Sequence, residues 1–194
     1  MVSLYALDGV RRTIARGFAD DPLMEWIFPD AEGRVDKIAM FMGLLVEAYA
    51  RSDLRIDTVE EDGDVIATAV WRTPSDAPVE WTTSPTLPGV LVSLVGIERA
   101  AELGPAFQRF AEHWPPHPFA YLHMLAVDPD HQGRGLGRQV LAPGVDAARD
   151  AGLQVALETT NPRNHRFYHS VGFETVAQFA VADGAPPATA MRLA

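Results

Sequence analysis

The sequence predicts a single domain of the mixed α/β class, an α+β arrangement in which helices cover a mixed sheet. Helix-like and strand-like stretches alternate along most of the chain. The Asp-Gly pair at 62–63 joins two strand-like runs into a hairpin, which indicates antiparallel neighbours within the sheet. A hydrophobic fraction of 47%, without a break in composition, supports one core across 1–194.

The segment before the hairpin is expected to hold one strand and two helices. A short strand is predicted near 2–6 and an amphipathic helix near 8–19, where apolar residues recur at helical spacing. The aromatic-rich stretch LMEWIF (23–28) follows Asp-Asp-Pro and is expected to be a turn. A second helix is predicted over 34–51, because its apolar positions keep a 3.6-residue period.

Proline and glycine divide the stretch that follows the hairpin. Residues 74–88 contain four prolines, which predict an irregular loop. Two helices are then expected, at 89–103 and 105–113, with Gly104-Pro105 as the break between them.

The last third of the chain is predicted to alternate strands with helices. A strand that ends at a proline leads into a glycine-rich segment and a helix that stops before Gly152. The predicted elements are a strand at 121–129, a helix to about 151, a strand at 154–160, a short helix within 161–172, and two closing strands in 173–182 and 188–193.

The composition excludes several classes of function. The chain has 16 basic and 26 acidic side chains, a formal charge of −10, whereas nucleic-acid binding requires a basic face. Without cysteine there is no disulfide, thiolate nucleophile or cysteine-ligated metal. The longest apolar run, 38–50, is too short to span a bilayer and contains Glu47, and the first residues lack the features of a signal peptide. A cytoplasmic protein with no nucleic-acid or membrane partner is expected.

The segment HQGRGLGR (131–138) places three glycines between a predicted strand and a predicted helix. A Walker phosphate loop requires Lys-Ser or Lys-Thr after the last glycine, where this chain has Arg138-Gln139. The spacing GxGxG also differs from the dinucleotide fingerprint GxGxxG. The segment therefore predicts a helix N-terminus whose uncovered amides hold a pyrophosphate, aided by the charges of Arg134 and Arg138. An ordinary tight turn is the alternative.

Two consecutive motifs resemble those of the GNAT superfamily of N-acetyltransferases. QGRGLG (132–137) resembles the acyl-CoA motif Q/R-x-x-G-x-G/A of that superfamily, and Asn161, Phe167-Tyr168 and Gly172-Phe173 fall at the spacing of its next motif. More loosely, VWRTP (70–74) and LETTNPRNHRFY (157–168) resemble puromycin N-acetyltransferase-like bacterial members.

The resemblance implies a GNAT-type acyl-CoA N-acyltransferase fold, with a splayed central sheet flanked by helices. A cofactor half at about 119–194 and a substrate-shaping half at about 1–118 are then expected. The pantetheine arm of acetyl-CoA would pair with the strand before the glycines, and its pyrophosphate would lie on the amides that follow. The implied binding residues are Leu125, Val127, Gln132, Gly133, Arg134, Gly135, Leu136, Gly137 and Arg138.

Two asparagines border the same region. Asn161 precedes Pro162 and reads as a helix N-cap, a role that is compatible with contact to the cofactor. Asn164 and Tyr168 are four residues apart and share one helix face. Asn164 stands where the superfamily more often has a small residue, and its expected contact is the pantetheine or a phosphate.

By the same resemblance, Tyr168 is the expected general acid. An amine that attacks the thioester expels a thiolate, which a nearby phenol can protonate. A phenol pKa of about 10 keeps that proton in place at neutral pH. Packing beside Phe167 is the alternative role for this side chain.

Two residues are candidates for the general base. His123 is expected to share a strand face with Tyr121 and Leu125 and so to point into the cleft. Glu158, late in the neighbouring strand, competes for the role. A relay of the proton through water is the third possibility, because many members of the superfamily use one.

The expected function is transfer of an acetyl group from acetyl-CoA to a primary amine of a small molecule, such as an antibiotic-like amine or an aminonucleoside. A protein or peptide amine acetyltransferase and a non-catalytic CoA sensor are the alternatives. A monomer or homodimer is expected. No metal is expected, because two prolines separate His113 from His117. Six aromatic residues of the first half are candidates for the substrate pocket: Trp26, Phe28, Phe41, Tyr49, Trp71 and Trp81.

Overall fold

The structure, a computed structural model, describes residues 4–49, 54–72 and 86–194. Its centre is a mixed six-stranded sheet with strand order β1-β2-β3-β4-β6-β5, covered by helices on both faces, so the predicted fold class is confirmed. The strands are β1 (Leu54–Glu61), β2 (Asp64–Arg72), β3 (Phe119–Val127), β4 (Gln154–Thr159), β5 (Phe173–Ala180) and β6 (Pro187–Leu193). Among these, β3 and β4 are parallel and all other pairs are antiparallel.

The predicted hairpin is present between β1 and β2. Asp62 and Gly63 both have positive φ, 53° and 86°, as a two-residue turn of this kind requires. The register runs from Glu61 opposite Asp64 to Leu54 opposite Arg72, with a bulge between Val59 and Glu60.

Seven helices are described: α1 (Leu4–Gly17), α2 (Pro22–Ile27), α3 (Arg34–Tyr49), α4 (Thr86–Val95), α5 (Ile97–Ala111), α6 (Leu136–Asp150) and α7 (His165–Ser170). The strand predicted near 2–6 is wrong where the chain is described, because α1 already begins at Leu4. The turn predicted over 23–28 is also wrong. It is α2, which starts because the Asp21 carboxylate accepts a hydrogen bond from the Leu23 amide (3.0 Å) and Pro22 suits the first helical position.

The break between α4 and α5 lies at Gly96 rather than at Gly104-Pro105. Gly96 has a φ of 82°, which an L residue rarely adopts, whereas Pro105 lies inside α5. The sequence prediction overrated proline as a helix breaker, because tertiary packing holds α5 together across it. Of the loop predicted at 74–88, residues 74–85 lie outside the described residues, and 86–88 form the first turn of α4.

Two hydrophobic cores lie on the two faces of the sheet. Residues from α1, α2, α3 and α5 pack with Val70 and Met124 on one face. On the other face, α6 packs against residues that include Trp71 and Leu122. A helix both long and apolar enough to cross a membrane does not occur in the described parts of the chain.

Candidate active site

The parallel pair β3–β4 opens after three residue pairs. Phe119, Ala120 and Tyr121 lie opposite Gln154, Val155 and Ala156, and no pair follows in the described residues, although both strands continue. Beyond this point β3 pairs only with β2, which lies on its other side, and that pairing extends to Val127. In the same region β4 pairs with β6. The edge of β3 that faces the opening therefore offers its backbone groups to another partner.

The glycine segment enters α6 beside this opening. Asp128 caps a short 3₁₀ turn (Pro129–His131) by accepting a hydrogen bond from the Asp130 amide (3.0 Å). Gly133 and Gly135 then take φ values of 77° and 78°, and Gly135 is the left-handed N-cap residue of α6. A Cβ built on either glycine meets no atom within 4 Å, so the space over the segment is open.

The backbone amides of 133–137 are available to a ligand. Within the described residues none of them donates a hydrogen bond, whereas the next two amides, Arg138 and Gln139, bond the carbonyl of Gly135. These amides lie at the positive end of the fifteen-residue helix α6. The open space, the unpaired backbone amides and the positive end of the helix dipole together suit a ligand that carries phosphate, such as the pyrophosphate of acetyl-CoA.

Both arginines of the segment donate hydrogen bonds to neighbouring elements, but among the described residues only Arg134 meets an opposite charge. Arg134 forms a two-pronged ion pair with Glu61 at the hairpin, one contact being 3.1 Å. Arg138 donates to the carbonyl and the hydroxyl of Ser170, the last residue of α7 (3.0 and 3.2 Å). Hydrogen bonding from Arg134, and to a lesser extent its charge, lower the pKa of Glu61, so this pair is ionised at neutral pH.

Both asparagines contact the loop after β4. The Asn161 side chain accepts a hydrogen bond from the Arg163 amide (3.1 Å), which confirms the capping role. The Asn164 amide nitrogen donates to the Thr159 hydroxyl (3.4 Å), so this side chain is turned toward the strand end.

Tyr168 lies in α7 and is buried between two aromatic rings, Phe167 (5.2 Å between centroids) and Phe173 (5.7 Å). Burial, and secondarily the Asp21 carboxylate, raise the pKa of its phenol above the ordinary value of 10. The side chain therefore carries its proton at neutral pH. Asp21 belongs to the same surroundings: it is buried, and Thr160 donates to it (3.4 Å).

A bulge in β3 changes the expected placement of His123. Val70 lies opposite Met124, but Trp71 lies opposite Leu122, so His123 is the extra residue. The alternation therefore reverses: Tyr121 belongs to one face and Leu125 packs in the core of the other. The prediction that His123, Tyr121 and Leu125 share a face is wrong for Leu125, because a sequence pattern cannot reveal an inserted residue.

His123 and Glu158 differ strongly in acidity. The His123 ring stands edge-on to Tyr121 at 5.4 Å, and burial, with the charge of Arg72, lowers its pKa to about 4. Burial raises the pKa of Glu158 to about 7, against the opposite effect of the polar groups of Tyr121 and Trp114. Glu158 Oε2 is enclosed and makes no hydrogen bond within the described residues.

Most of the aromatic residues proposed for a pocket belong to the core. Phe28, Phe41 and Trp71 are buried, and the Arg99 guanidinium lies 4.2 Å from the ring centre of Trp26. The Tyr49 side chain and Trp81 lie outside what the structure describes.

A small hollow beside Glu158 was missed by sequence reasoning. It is lined by Arg72, Trp114, His117, Phe119 and Tyr121 and is too small to admit a water molecule. These residues come from β2, β3 and the segment before β3, and the sequence carries no signal that brings them together. Among the described residues no cluster of three or more histidine, aspartate or glutamate side chains is arranged to hold a metal.

Fold and site together are those of the acyl-CoA N-acyltransferase class: a mixed sheet whose parallel pair opens beside a glycine-rich helix N-terminus. The chain belongs to the acetyltransferase (GNAT) family, whose family model matches residues 21–173.

Curated relatives match part of the chain. The L-amino acid N-acyltransferase MnaT of Escherichia coli K12 is 42% identical over 59 residues, 29% of this chain and 34% of that protein. The N-alpha-acetyltransferase RimI of Mycobacterium tuberculosis is 35% identical over 89 residues, 45% of this chain and 48% of that protein. The chain thus matches between a third and a half of the length of these relatives.

Solved structures match nearly the whole chain in fold. A Corynebacterium glutamicum protein described as histone acetyltransferase HPA2 and related acetyltransferase has a TM-score of 0.73 at 22% identity, covering 98% of this chain and 92% of that one. The PaiA N-acetyltransferase of Thermoplasma acidophilum, solved with coenzyme A, has a TM-score of 0.57 at 13% identity, covering 99% and 94%. These likenesses establish the fold.

Proposed function

We propose that this protein transfers an acetyl group from acetyl-CoA to a primary amine of a small molecule, with antibiotic-like amines and aminonucleosides among the candidates. The observation that carries the proposal is the opening of β3 from β4 directly beside the unpaired amides of 133–137. A phosphate group on those amides and an extended arm against the open edge of β3 would satisfy both sets of backbone groups.

In this proposal the chain holds acetyl-CoA mainly through its backbone. Leu125 and Val127 pair with the pantetheine arm, and the segment 132–138 surrounds the pyrophosphate. Asn161 and Asn164 shape the opposite wall. Both also bond the loop after β4, so their first effect is to fix that wall in place. The bound thioester supplies an activated acetyl carbon to the amine.

Tyr168 is the proposed general acid that protonates the departing thiolate. Its buried surroundings and the nearby Asp21 carboxylate raise the pKa of the phenol, so the proton is present when the thiolate forms. The same burial limits water near the sulfur, which leaves the phenol as the local proton source.

Glu158 is a better general base than His123. An acceptor ammonium with a pKa of about 10.4 must lose a proton before attack. A carboxylate whose pKa is about 7 accepts that proton more readily than an imidazole whose pKa is about 4. Glu158 lies on the β4 side of the opening, and we therefore assign it the base role, directly or through a water molecule.

The decisive experiment measures thiol release from acetyl-CoA across a panel of amines, together with calorimetry of coenzyme A binding. Binding with release for small amines supports the proposal. Binding without release for any amine would instead favour a CoA sensor. No binding of coenzyme A would overturn the proposal altogether.

A peptide acceptor is the second candidate. The relative named as an N-alpha-acetyltransferase in Mycobacterium tuberculosis favours it, whereas the Escherichia coli relative is named for L-amino acids. Short peptides with free N-termini in the same panel distinguish the two: release with peptides alone would transfer the assignment to protein or peptide acetylation.

A further inference from the structure

An ion pair joins the glycine segment to the tip of the β1–β2 hairpin, and we call it the hairpin–segment pair. Arg134, between the two positive-φ glycines, meets Glu61, the last residue of β1, in a two-pronged contact. One of its hydrogen bonds joins Nη1 to Oε1 at 3.1 Å. The two side chains are 47% and 43% exposed, so the pair lies at the surface and is accessible to a ligand of the segment.

Three other acidic side chains around the segment are paired by arginines from outside it. Arg16 of α1 binds Asp128 (2.8 Å) and Asp130 (2.7 Å), which precede the segment. Arg12 of α1 binds Asp64 (2.6 Å), the first residue of β2. A ligand on the segment can leave these pairs intact, because α1 supplies their arginines. The hairpin–segment pair differs, because its arginine belongs to the segment itself.

Both members of the hairpin–segment pair can take another partner. The remaining N–H groups of the Arg134 guanidinium make no hydrogen bond within the described residues, so they can bind a phosphate before the carboxylate leaves. Nε2 of His131 lies 3.6 Å from Oε1 of Glu61. The imidazole can therefore receive the carboxylate once the guanidinium has turned toward a ligand.

A phosphate is the stronger partner for this arginine. Exposed ion pairs between arginine and a carboxylate contribute little, so separating the hairpin–segment pair is easy. A phosphate accepts the same two-pronged hydrogen bonds from a guanidinium and carries more negative charge than a carboxylate. Exchange of Glu61 for a phosphate is therefore favourable, but the affinity gained is reduced by the pair that must first be broken.

We propose that Glu61 competes with coenzyme A for Arg134: a phosphate of the ligand displaces the hairpin carboxylate, which thereby limits the affinity of the segment. This inference rests on the proposed function and concerns the cofactor side of the same site. Glu61 acts through Arg134 and is a positioning residue. Because acetyl-CoA and coenzyme A carry the same phosphates, Glu61 weakens both to the same extent and favours release of the product.

The test is a double-mutant cycle measured by calorimetry of coenzyme A. We expect Glu61→Gln to increase the affinity by about 3-fold or more, because the competing charge is removed while the size of the side chain is kept. Arg134→Gln should lower the affinity by about 10-fold. In the Arg134→Gln background, Glu61→Gln should change the affinity by less than about 1.5-fold, because no guanidinium is left to compete for.

Asp64→Asn is the matched control. Asp64 lies opposite Glu61 in the hairpin but pairs with Arg12, so the variant removes the same charge without freeing an arginine of the segment. Its affinity should stay within about 1.5-fold of wild type at about 0.15 M salt, where exposed charges are screened. Unchanged or lower affinity of Glu61→Gln would overturn the inference, as would an equal gain in Asp64→Asn or a full gain without Arg134.

Dephospho-coenzyme A shows which phosphate is involved. A gain that persists with this ligand assigns the diphosphate to Arg134, and a gain that disappears assigns the 3′-phosphate; both results support the exchange. Absence of coenzyme A binding to wild type would instead remove the proposed function, whereas binding that does not respond to Glu61→Gln contradicts this inference alone. Melting temperatures show whether each variant is folded, and a damaged fold would not bind more tightly.

Discussion

Gly144 of α6 lies directly against the indole of Trp71 in β2. A Cβ built on Gly144 would lie 2.1 Å from Cε2 and 2.2 Å from Nε1 of that ring, and both residues are buried. The absence of a side chain at this helix position therefore sets how closely α6 approaches the sheet. Because the proposed cofactor site lies at the N-terminus of the same helix, this contact helps to determine where the amides of the glycine segment lie.

We predict that Gly144→Ala destabilises the protein by about 2 kcal/mol or more, because a buried indole must move to admit one methyl group. Urea unfolding followed by circular dichroism measures the change. Gly89→Ala is the control: it is an exposed helical glycine of α4 with no atom within 4 Å of a built Cβ, and it should be neutral or stabilising by up to about 1 kcal/mol. Similar losses for both variants would contradict the argument.

Gly135→Ala should weaken coenzyme A binding. The residue has a φ of 78°, where alanine is unfavourable by about 1 kcal/mol, and its Cβ would enter the open space over the amides. We expect calorimetry to show a loss of about 10-fold or more in affinity, with folding retained. Unchanged affinity would remove the glycine segment from the proposed cofactor site, and Gly89→Ala again serves as the control.

Tyr168→Phe should slow acetyl transfer by about 100-fold and leave coenzyme A affinity within about 2-fold, because only a proton donor is lost. The ring keeps its contacts with Phe167 and Phe173, so the melting temperature should change little. Thiol release under saturating acetyl-CoA and calorimetry measure the two effects. An unchanged rate would eliminate Tyr168 as the acid.

Glu158 should give the reaction a pH dependence near neutrality. Its pKa of about 7 predicts that kcat/KM rises with pH up to about 7, as the carboxylate forms. Trp114, which acts on it, does not titrate, and His123, whose ring contacts Tyr121, has a pKa of about 4, so neither gives an inflection in this window. Glu158→Gln should lower kcat/KM by about 10-fold or more and abolish the inflection.

The Glu158 carboxyl group should also make the stability of the fold depend on pH. Whereas kcat/KM is expected to rise with pH, the free energy of unfolding is expected to fall. Its folded pKa is raised above the ordinary 4.5, so its contribution is fully favourable below pH 4.5 and is lost as pH rises to about 7. Wild type should therefore lose up to about 3 kcal/mol relative to Glu158→Gln between these pH values. Urea unfolding at pH 5 and pH 8 checks this. A constant difference would show that Glu158 is not desolvated.

The sequence was most informative where local chemistry decides the structure. Asp62-Gly63 fixed the hairpin, because few other pairs accept two positive φ angles in succession. Gly133 and Gly135 marked the entry to α6, and Asn161 with Pro162 marked the short helical turn after β4. The GNAT resemblance rested on these same positions, and the family match confirmed it.

The sequence predictions were wrong where tertiary packing overrides the conformation that a segment would prefer locally. The stretch 23–28 forms α2 because its apolar side chains Met24 and Ile27 are buried against neighbouring helices, which a local pattern does not show. Gly96, not Pro105, separates α4 from α5.

By itself the sequence determined the class of fold, through the alternation of strand-like and helix-like stretches, and the glycine-rich entry to α6, through a few residues close together in the chain. Its resemblance to the GNAT superfamily supplied Tyr168 as the expected acid. Only the tertiary structure decided which groups surround Glu158 and His123. The bulge at His123 inserts one residue into a regular alternation, and Arg72, Trp114 and Glu158 come from three separate segments. The burial that sets the acidity of Glu158 and His123 exists only after those segments have packed together.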